Sequence, residues 1–127
     1  MIRTVLDTNV LVSALLQPQG LPARLFLMMV TGTDIQLFVS GEIYAEYEEV
    51  VQRPRFKRSE SEITGALRAI REQGFWIKPS KKVHICSDPD DNIFLECADA
   101  AQAHYLVTGN LKNFPSTWAG TRIVPLK

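Results

Sequence analysis

The sequence predicts an α/β fold in which helices cover both faces of a central, mainly parallel sheet of four to five strands. Short apolar segments with strand character alternate along the chain with helical stretches of about ten or more residues, which is typical of parallel sheets with helical crossovers. The 127 residues suffice for one continuous hydrophobic core but not for two independent ones. We therefore expect a single domain over residues 1–127.

Turn and cap residues divide the first half of the chain. Pro and Gly mark a loop over residues 17–22, Gly32 follows an apolar helical run, Ser40 is an expected N-cap, and Pro54 stops the helix that Ser40 begins. The resulting elements are a strand over 2–6, a helix over 10–16, a helix over 21–30, a strand over 35–39 and a helix over 41–52.

The second half continues the alternation. Gly74 ends an amphipathic helix, and Pro125 near the end of the last apolar run indicates an edge strand. The predicted elements are a helix over 55–73, a brief strand over 75–77, an extended piece over 84–86, a helix over 91–103, a buried strand over 105–108 and a final edge strand over 122–126.

Composition excludes several classes of protein. Apolar residues make up 46% of the chain and 14 acidic side chains balance 14 basic ones, so the chain is neither disordered nor strongly basic. No segment reaches the roughly 18 apolar residues of a membrane span, and no cleavage site follows the N-terminal run. We expect a cytoplasmic protein with reduced thiols at Cys86 and Cys97, the latter a small core residue.

Two polar residues lie at the carboxyl ends of predicted strands. Asp7 comes directly after the first strand, and Thr108 closes the YLVT strand. In doubly wound α/β folds the ligand site lies beyond the carboxyl ends of the strands, near the point where strand order reverses. Both side chains are therefore expected at that rim, although Asp7 could also serve simply as a turn or cap residue.

The helix that follows Ser40 contains four glutamates. Glu42 and Glu49 fall opposite its apolar stripe and are expected to be solvated, whereas Glu46 and Glu48 both border the stripe. Helical periodicity alone does not choose between these two. The stripe consists of Ile43, Tyr44, Tyr47, Val50 and Val51.

The stretch DPDDNIFLECA places three carboxylates ahead of an apolar helix. On that helix Asp91 lies at the margin of the apolar stripe, whereas Asn92, Glu96 and Asp99 are expected to point away from it. Capping and the helix dipole could account for Asp88 and Asp90, but one helix end does not need three acids. Acids converging from distant parts of the chain would suit a hard cation such as Mg²⁺ or Mn²⁺.

Four segments resemble the motif regions of PIN-domain ribonucleases, in the order that this family uses. They are VLDTNVLVSALL, SGEIYAEYEEVVQRP, DPDDNIFLECA and YLVTGNLKNFP. The resemblance spans essentially the whole chain and is greatest to the toxin components of VapBC-type toxin–antitoxin pairs. It implies a PIN-like three-layer α/β/α sandwich, hydrolysis of RNA with Mg²⁺ or Mn²⁺ as cofactor, a cognate antitoxin as partner, and a homodimer.

The resemblance also implies which acids hold the metal. The first falls on Asp7, the second on Glu46 rather than Glu48, and the third on Asp91, with Asp88 close enough to assist. These acids would hold metal ions that activate a water for attack on phosphorus, leaving a 3′-hydroxyl and a 5′-phosphate.

Further polar residues in the motif regions have implied supporting roles. Asn9 and Thr108 would assist the acids, and Asn110 is a further candidate ligand. The family often has a fourth acid in the turn after the YLVT-type strand, where this chain has Asn110 and Asn113. An amide oxygen can bind a hard cation but contributes no charge, so it should weaken metal binding.

Two basic runs are candidates for guiding RNA. The run RPRFKR carries Arg53, Arg55, Lys57 and Arg58, and KPSKKVH adds three lysines. Such runs are more often solvated surface, but beside an acidic centre they could grip phosphates regardless of sequence. Trp76 is expected to be a core or edge aromatic, without a stacking pattern to assign it to nucleic acid.

Two other functions compete with the nuclease. A phosphatase-like enzyme with Asp7 as nucleophile would need a carboxylate two residues further on, where this chain has Asn9. A catalytically weak module that binds RNA or a protein partner is supported by the absent fourth acid. Metal-stimulated cleavage of RNA separates these alternatives.

The segment LPARLFLMMV is apolar nearly all round. A helix that its own domain covers on one side needs apolar residues only on that side. We therefore expect a second face of this helix to be buried in a homodimer, with Leu25, Met28 and Met29 as candidate contacts. The rival explanation is a helix fully wrapped by the core.

Overall fold

A computed structural model describes residues 1–53 and 59–126. Its single sheet has the strand order β3-β2-β1-β4-β6-β5, in which all neighbours are parallel except β5 and β6. The expected mainly parallel sheet is confirmed, with two very short strands beside four longer ones. The strands are β1 (Ile2–Leu6), β2 (Ile35–Val39), β3 (Phe75–Trp76), β4 (Tyr105–Val107), β5 (Thr117–Trp118) and β6 (Thr121–Val124).

Within residues 1–53 and 59–126, five α-helices flank the sheet in an α/β sandwich. Ser40 caps the third, with its hydroxyl accepting a hydrogen bond from the backbone N–H of Ile43, and Gly32 and Gly74 end the second and fourth, as the sequence predicts. The helices are α1 (Thr8–Leu16), α2 (Leu21–Thr31), α3 (Gly41–Val51), α4 (Glu60–Gln73) and α5 (Asn92–Ala101).

Three helix starts differ from the prediction. The first helix, expected from residue 10, begins at Thr8. The helix expected from residue 55 begins at Glu60, because the Ser59 side chain caps it by accepting from the N–H of Glu62; residues 55–58 and the expected stop at Pro54 lie outside the described part. The helix expected from residue 91 begins with a 3₁₀ turn, Pro89–Asp91, and continues as α5.

Two predicted strands also need correction. Residues 84–86 form no strand, since the N–H groups of Ile85 and Cys86 donate to the side chain of Asn92 instead of to a neighbouring strand. The last strand is not at the edge, because β5 pairs antiparallel with its outer side.

The core lies between the sheet and the helices, with α5 its most buried helix. The side chains of Phe94, Leu95 and Cys97 on α5 are fully buried. Within the core, the hydroxyl of Tyr47 on α3 donates a 2.6 Å hydrogen bond to the carbonyl of Leu6 at the end of β1. This bond fixes α3 against the carboxyl end of β1.

The strand order reverses between β1 and β4, which are neighbours although they are far apart in sequence. Asp7 follows β1 and Thr108 follows β4, so both lie at the switch point.

Among the described residues no single helix is long and apolar enough to cross a membrane. The helices α1 and α2 reach the required length and apolar composition only when taken together, and they are bent by 105°.

Candidate metal and nuclease site

Asp7 lies buried at the switch point, only 5% exposed. Its backbone N–H donates to the carbonyl of Val107, which continues the pairing of β1 with β4. Its carboxylate accepts a 2.6 Å hydrogen bond from the Thr108 hydroxyl and makes no capping bond to α1. The side chain is therefore held by the neighbouring strand end, and helix capping does not explain it.

The turn after β4 is organised around the same point. The Thr108 hydroxyl accepts from the N–H of Asn110 at 2.9 Å, and the Asn9 side-chain oxygen accepts from the N–H of Gly109 at 3.2 Å. Thr108 is fully buried. Asn9 and Thr108 thus fix the turn that carries Asn110 beside Asp7.

The third helix brings a second carboxylate to the site. Glu46 is half-buried and its Oε2 accepts a hydrogen bond from the Thr8 hydroxyl, which follows Asp7 in the chain. Glu48 is exposed and does not line the pocket. The structure therefore places Glu46, rather than Glu48, with Asp7.

The acidic stretch before α5 separates into two kinds of side chain. Asp88 caps the 3₁₀ turn, with its Oδ1 accepting from the N–H of Asp90 at 3.0 Å. Asp91 makes no capping bond, and its Oδ2 is buried without a hydrogen-bond partner. Capping accounts for Asp88, whereas Asp91 carries an unsatisfied carboxylate oxygen, which a stable fold normally avoids.

These side chains enclose one pocket of about 410 Å³. Glu96 and Asp99, on the same helix as Asp91, do not line it. Asn110 and Asn113 occupy the side of the pocket where the resemblance leads us to expect a fourth acid. The complete lining is Asp7, Thr8, Asn9, Val12, Glu46, Val50, Asp88, Asp90, Asp91, Asn110 and Asn113.

Burial raises the pKa of all three carboxylates, and neighbouring negative charges add to the increase at Glu46 and Asp91. Burial raises the pKa of Asp91 to about 6, and the charges of Asp7, Asp88 and Glu46 add to the increase, while the Asn113 side chain opposes it. Burial also raises the pKa of Asp7 and of Glu46, against the lowering effect of the hydrogen bonds from Thr108 and Thr8. The pocket therefore concentrates negative charge that no described cation offsets.

The donor set fits a hard divalent cation. All candidate donors are carboxylate or amide oxygens, and the unpartnered Oδ2 of Asp91 is available for a ligand. As placed, no three Asp, Glu, His or Cys side chains in residues 1–53 and 59–126 are grouped closely enough to form a ready-made metal cage. Mg²⁺ commonly uses one or two carboxylates and keeps several waters, so such a cage is not required.

Sequence reasoning misplaced two side chains of α5. The helical wheel predicts that Asn92 and Glu96 point away from the apolar stripe, but both are buried. The Oδ1 of Asn92 accepts from the N–H groups of Ile85 and Cys86, and the Oε2 of Glu96 accepts from the N–H of Val83. The segment over residues 83–86 covers the side of α5 that carries Asn92 and Glu96. A helical wheel cannot predict this contact.

Thr8 is a pocket residue that the sequence did not single out; its place beside Asp7 was the available signal.

Most of the predicted RNA-binding run lies outside the described residues. Arg53 is exposed and pairs with Glu49 on its own helix at 2.8 Å, while Arg55, Lys57 and Arg58 lie outside the described residues.

Comparison with known proteins agrees with this geometry. The PIN domain family model matches residues 3–112, and the chain therefore belongs to the PIN-domain family, a family of nucleases. An uncharacterized protein of Methanocaldococcus jannaschii is 30% identical over 112 residues, covering 86% of this chain and 71% of that protein.

A solved structure supports the fold. VapBC2 from Rickettsia felis, bound to a DNA fragment from its promoter, contains a chain that matches with a TM-score of 0.66. The match covers 99% of this chain and 100% of that one at 16% sequence identity. The PIN-like α/β sandwich expected from the sequence is thereby confirmed.

Proposed function

We propose that this protein is a divalent-metal-dependent endoribonuclease that hydrolyses RNA phosphodiester bonds and acts as the toxin of a toxin–antitoxin pair. The observation that carries the proposal is the buried, unpartnered Oδ2 of Asp91 in a pocket shared with Asp7 and Glu46. An RNA phosphate is itself anionic, so it can approach these carboxylates only if a cation offsets their charge. The family membership supports nuclease activity in general.

Each pocket residue has a role under this proposal. Asp7, Glu46 and Asp91 would hold Mg²⁺ or Mn²⁺, with Asp88 and Asn110 as additional oxygen donors. When bound, the cation supplies Lewis-acid stabilisation of the charge that develops on the phosphodiester oxygens and favours ionisation of an attacking water.

The hydroxyls around the pocket orient the acids. The Thr108 hydroxyl donates to one oxygen of Asp7, and the Thr8 hydroxyl donates to one oxygen of Glu46. Fixing the carboxylates in advance reduces the reorganisation that ligand binding requires. No side chain acts as a covalent nucleophile, and the amide of Asn9, engaged with Gly109, offers no acid or base to such a reaction.

The test is cleavage of a fluorescent single-stranded RNA by the purified protein over a Mn²⁺ and Mg²⁺ titration, with and without chelator. Cleavage should require metal, and Asp7→Asn should abolish it while the circular dichroism spectrum is unchanged. Asp34→Asn is the matched control, because exposed Asp34 precedes β2 at the opposite end of the sheet. Metal-independent cleavage, or full activity of Asp7→Asn, would contradict the proposal.

A catalytically weak RNA-binding module is the second candidate. It is favoured by Asn110 and Asn113 in the pocket and by the absence of a ready-made metal cage among the described residues. The same titration distinguishes the two functions: binding of RNA without cleavage at any metal concentration would support the module.

The proposed partners are a cognate antitoxin and a second copy of this chain. Support for the antitoxin comes from the similarity in fold to a chain of the VapBC2 complex. Support for the homodimer comes from α2, where Leu27 and Met28 are 59% and 53% exposed and only Met29 is fully buried. Complete wrapping of α2 by the core is therefore wrong, and Met29 is unsuited to the contact.

The dimer has its own test. Met28→Lys should place a charge in the contact and shift the mass measured by light scattering from dimer toward monomer. Arg24→Lys, also exposed on α2, should leave the mass unchanged. An unaltered dimer in Met28→Lys would exclude this face.

A further inference from the structure

A second groove, separate from the acidic pocket, lies beyond the carboxyl ends of β2 and β3. Its volume is about 610 Å³, and its lining includes Gly41 and Glu42 of α3 together with Trp76, Lys78 and Lys82. The groove and the acidic pocket share no lining residue. It therefore needs its own explanation.

Trp76 is an aromatic side chain held in place but left half exposed. Its ring packs against Tyr44, with centroids 5.4 Å apart, and its indole N–H donates to the carbonyl of Arg71 at 3.2 Å. The side chain nevertheless remains 48% exposed. A fixed and accessible indole is suited to stacking against a nucleobase, because little rotational freedom is lost when the base binds.

Two lysines give the groove positive charge. Lys78 is exposed and forms no ion pair with any residue in the described part of the chain. Lys82 lies 3.6 Å from Glu42, but both side chains are more than half exposed, and such surface pairs contribute little. Lys82 can therefore exchange this contact for a phosphate.

The groove and the acidic pocket do not share a lining residue, but they are built on the same two parts of the fold. Glu42 lines the groove and Glu46, one helical turn or ~6 Å further along α3, lines the pocket. The segment that carries Lys82 is fixed to α5 by the bonds from Val83 to Glu96 and from Ile85 and Cys86 to Asn92. Asp91 directly precedes α5, so these bonds tie the segment after Lys82 to the helix whose start carries this acid.

We propose that this groove binds a single strand of RNA next to the bond that the acidic pocket cleaves, with a base stacked on Trp76 and phosphates on Lys78 and Lys82. Stacking and lysine–phosphate contacts tolerate any sequence, so the groove selects unpaired RNA rather than a base order. The inference rests on the proposed ribonuclease function, but it concerns binding and not the metal-dependent step.

The test measures binding of a fluorescent single-stranded oligouridine to the full chain by anisotropy, in chelator so that the RNA is not cleaved. Trp76→Leu should weaken binding about ten-fold, as expected for one lost stacking contact. Lys78→Ala combined with Lys82→Ala should weaken it further and reduce the slope of log K against log salt by roughly 1.4, or about 0.7 per lost phosphate contact.

The matched controls are close neighbours. Phe75→Leu removes the other half-exposed aromatic of β3, which stacks on Phe38 and does not line the groove, and Arg68→Ala removes an exposed cation from α4. Both should bind like the unaltered protein. Unchanged affinity of Trp76→Leu and of the double lysine variant overturns the inference, including when metal-dependent cleavage is observed. Selective loss of binding in those variants supports it, even if no cleavage is ever detected.

Discussion

Asp91 and Asn92 are neighbours in the chain, but their side-chain oxygens differ in hydrogen bonding. Asn92 is buried, and its one carbonyl oxygen accepts two backbone hydrogen bonds, from Ile85 and Cys86. Asp91 carries a charge, faces other acids, and has a buried oxygen without a partner. The amide fixes the segment that precedes the acidic turn, whereas the unsatisfied carboxylate oxygen is expected to reduce stability unless a ligand binds it.

Removing the charge of Asp91 is the change with the largest expected effect. Asp91→Asn should reduce metal-dependent cleavage by more than about 100-fold, since loss of a metal ligand exceeds the cost of losing its supporting contacts. The melting temperature without metal should stay the same or rise, because repulsion with Asp7 and Glu46 is relieved. A cleavage assay and thermal denaturation of the same preparation measure both.

Asp99→Asn controls for loss of charge on the same helix, outside the pocket. Full cleavage by the Asp91 variant would refute its role in metal binding. Unfolding of that variant would instead show that Asp91 is structural, and the contrast with Asn92 would fail.

The opposite result is expected at Asn92. Asn92→Ala removes the buried side-chain oxygen to which the partly buried N–H groups of Ile85 and Cys86 donate, at a cost of about 2 kcal/mol in the free energy of unfolding for the two lost hydrogen bonds. Urea denaturation of the purified variant measures this loss. Glu42→Ala, an exposed change on α3, should leave the free energy of unfolding within about 0.5 kcal/mol. An Asn92→Ala variant as stable as the unaltered protein would mean that the segment over residues 83–86 is held by other contacts.

The smallest expected effect is on the pH dependence of stability. Because burial and neighbouring acids raise the pKa of Asp91 from 3.8 to about 6, the folded state binds its proton more tightly than the unfolded state. Metal-free stability should therefore fall as pH rises through the window from about 4 to 6, with the penalty fully present above it. We expect on the order of 1 kcal/mol, since solvent screens a half-buried group.

This pH effect is measured as the difference in melting temperature between the unaltered protein and Asp91→Asn, in chelator, at pH 4.5 and pH 7. The variant should gain relative stability at pH 7 and lose most of that advantage at pH 4.5. A difference independent of pH would show that Asp91 titrates normally in the folded protein.

Much of the site could be predicted from the sequence. Asp7 and Thr108 each follow a strand, and the carboxyl ends of parallel strands lie at one rim, so their common rim could be predicted. Their direct contact depends on the pairing of β1 with β4, which only the structure shows. Asp91 could be separated from Asp99 because an amphipathic helix has a predictable buried face. In contrast, helical periodicity left Glu46 and Glu48 equivalent, and the family resemblance was needed to choose Glu46. In the structure Glu46 contacts Thr8 and lines the pocket, whereas Glu48 does not line it.

The sequence by itself determined the order of the elements, the caps at Ser40 and Gly74, and the rim where the acids gather, because these depend on local periodicity and on strand direction. Only the tertiary structure decided that Asn92 and Glu96 are buried. A helical wheel identifies the face of α5 that packs on the sheet. It does not show that an irregular segment covers the opposite face, where side chains of α5 accept hydrogen bonds from the backbone N–H groups of that segment. The contact between this segment and α5 depends on complementary shape and on hydrogen bonds, and no periodic pattern in the sequence indicates either of these.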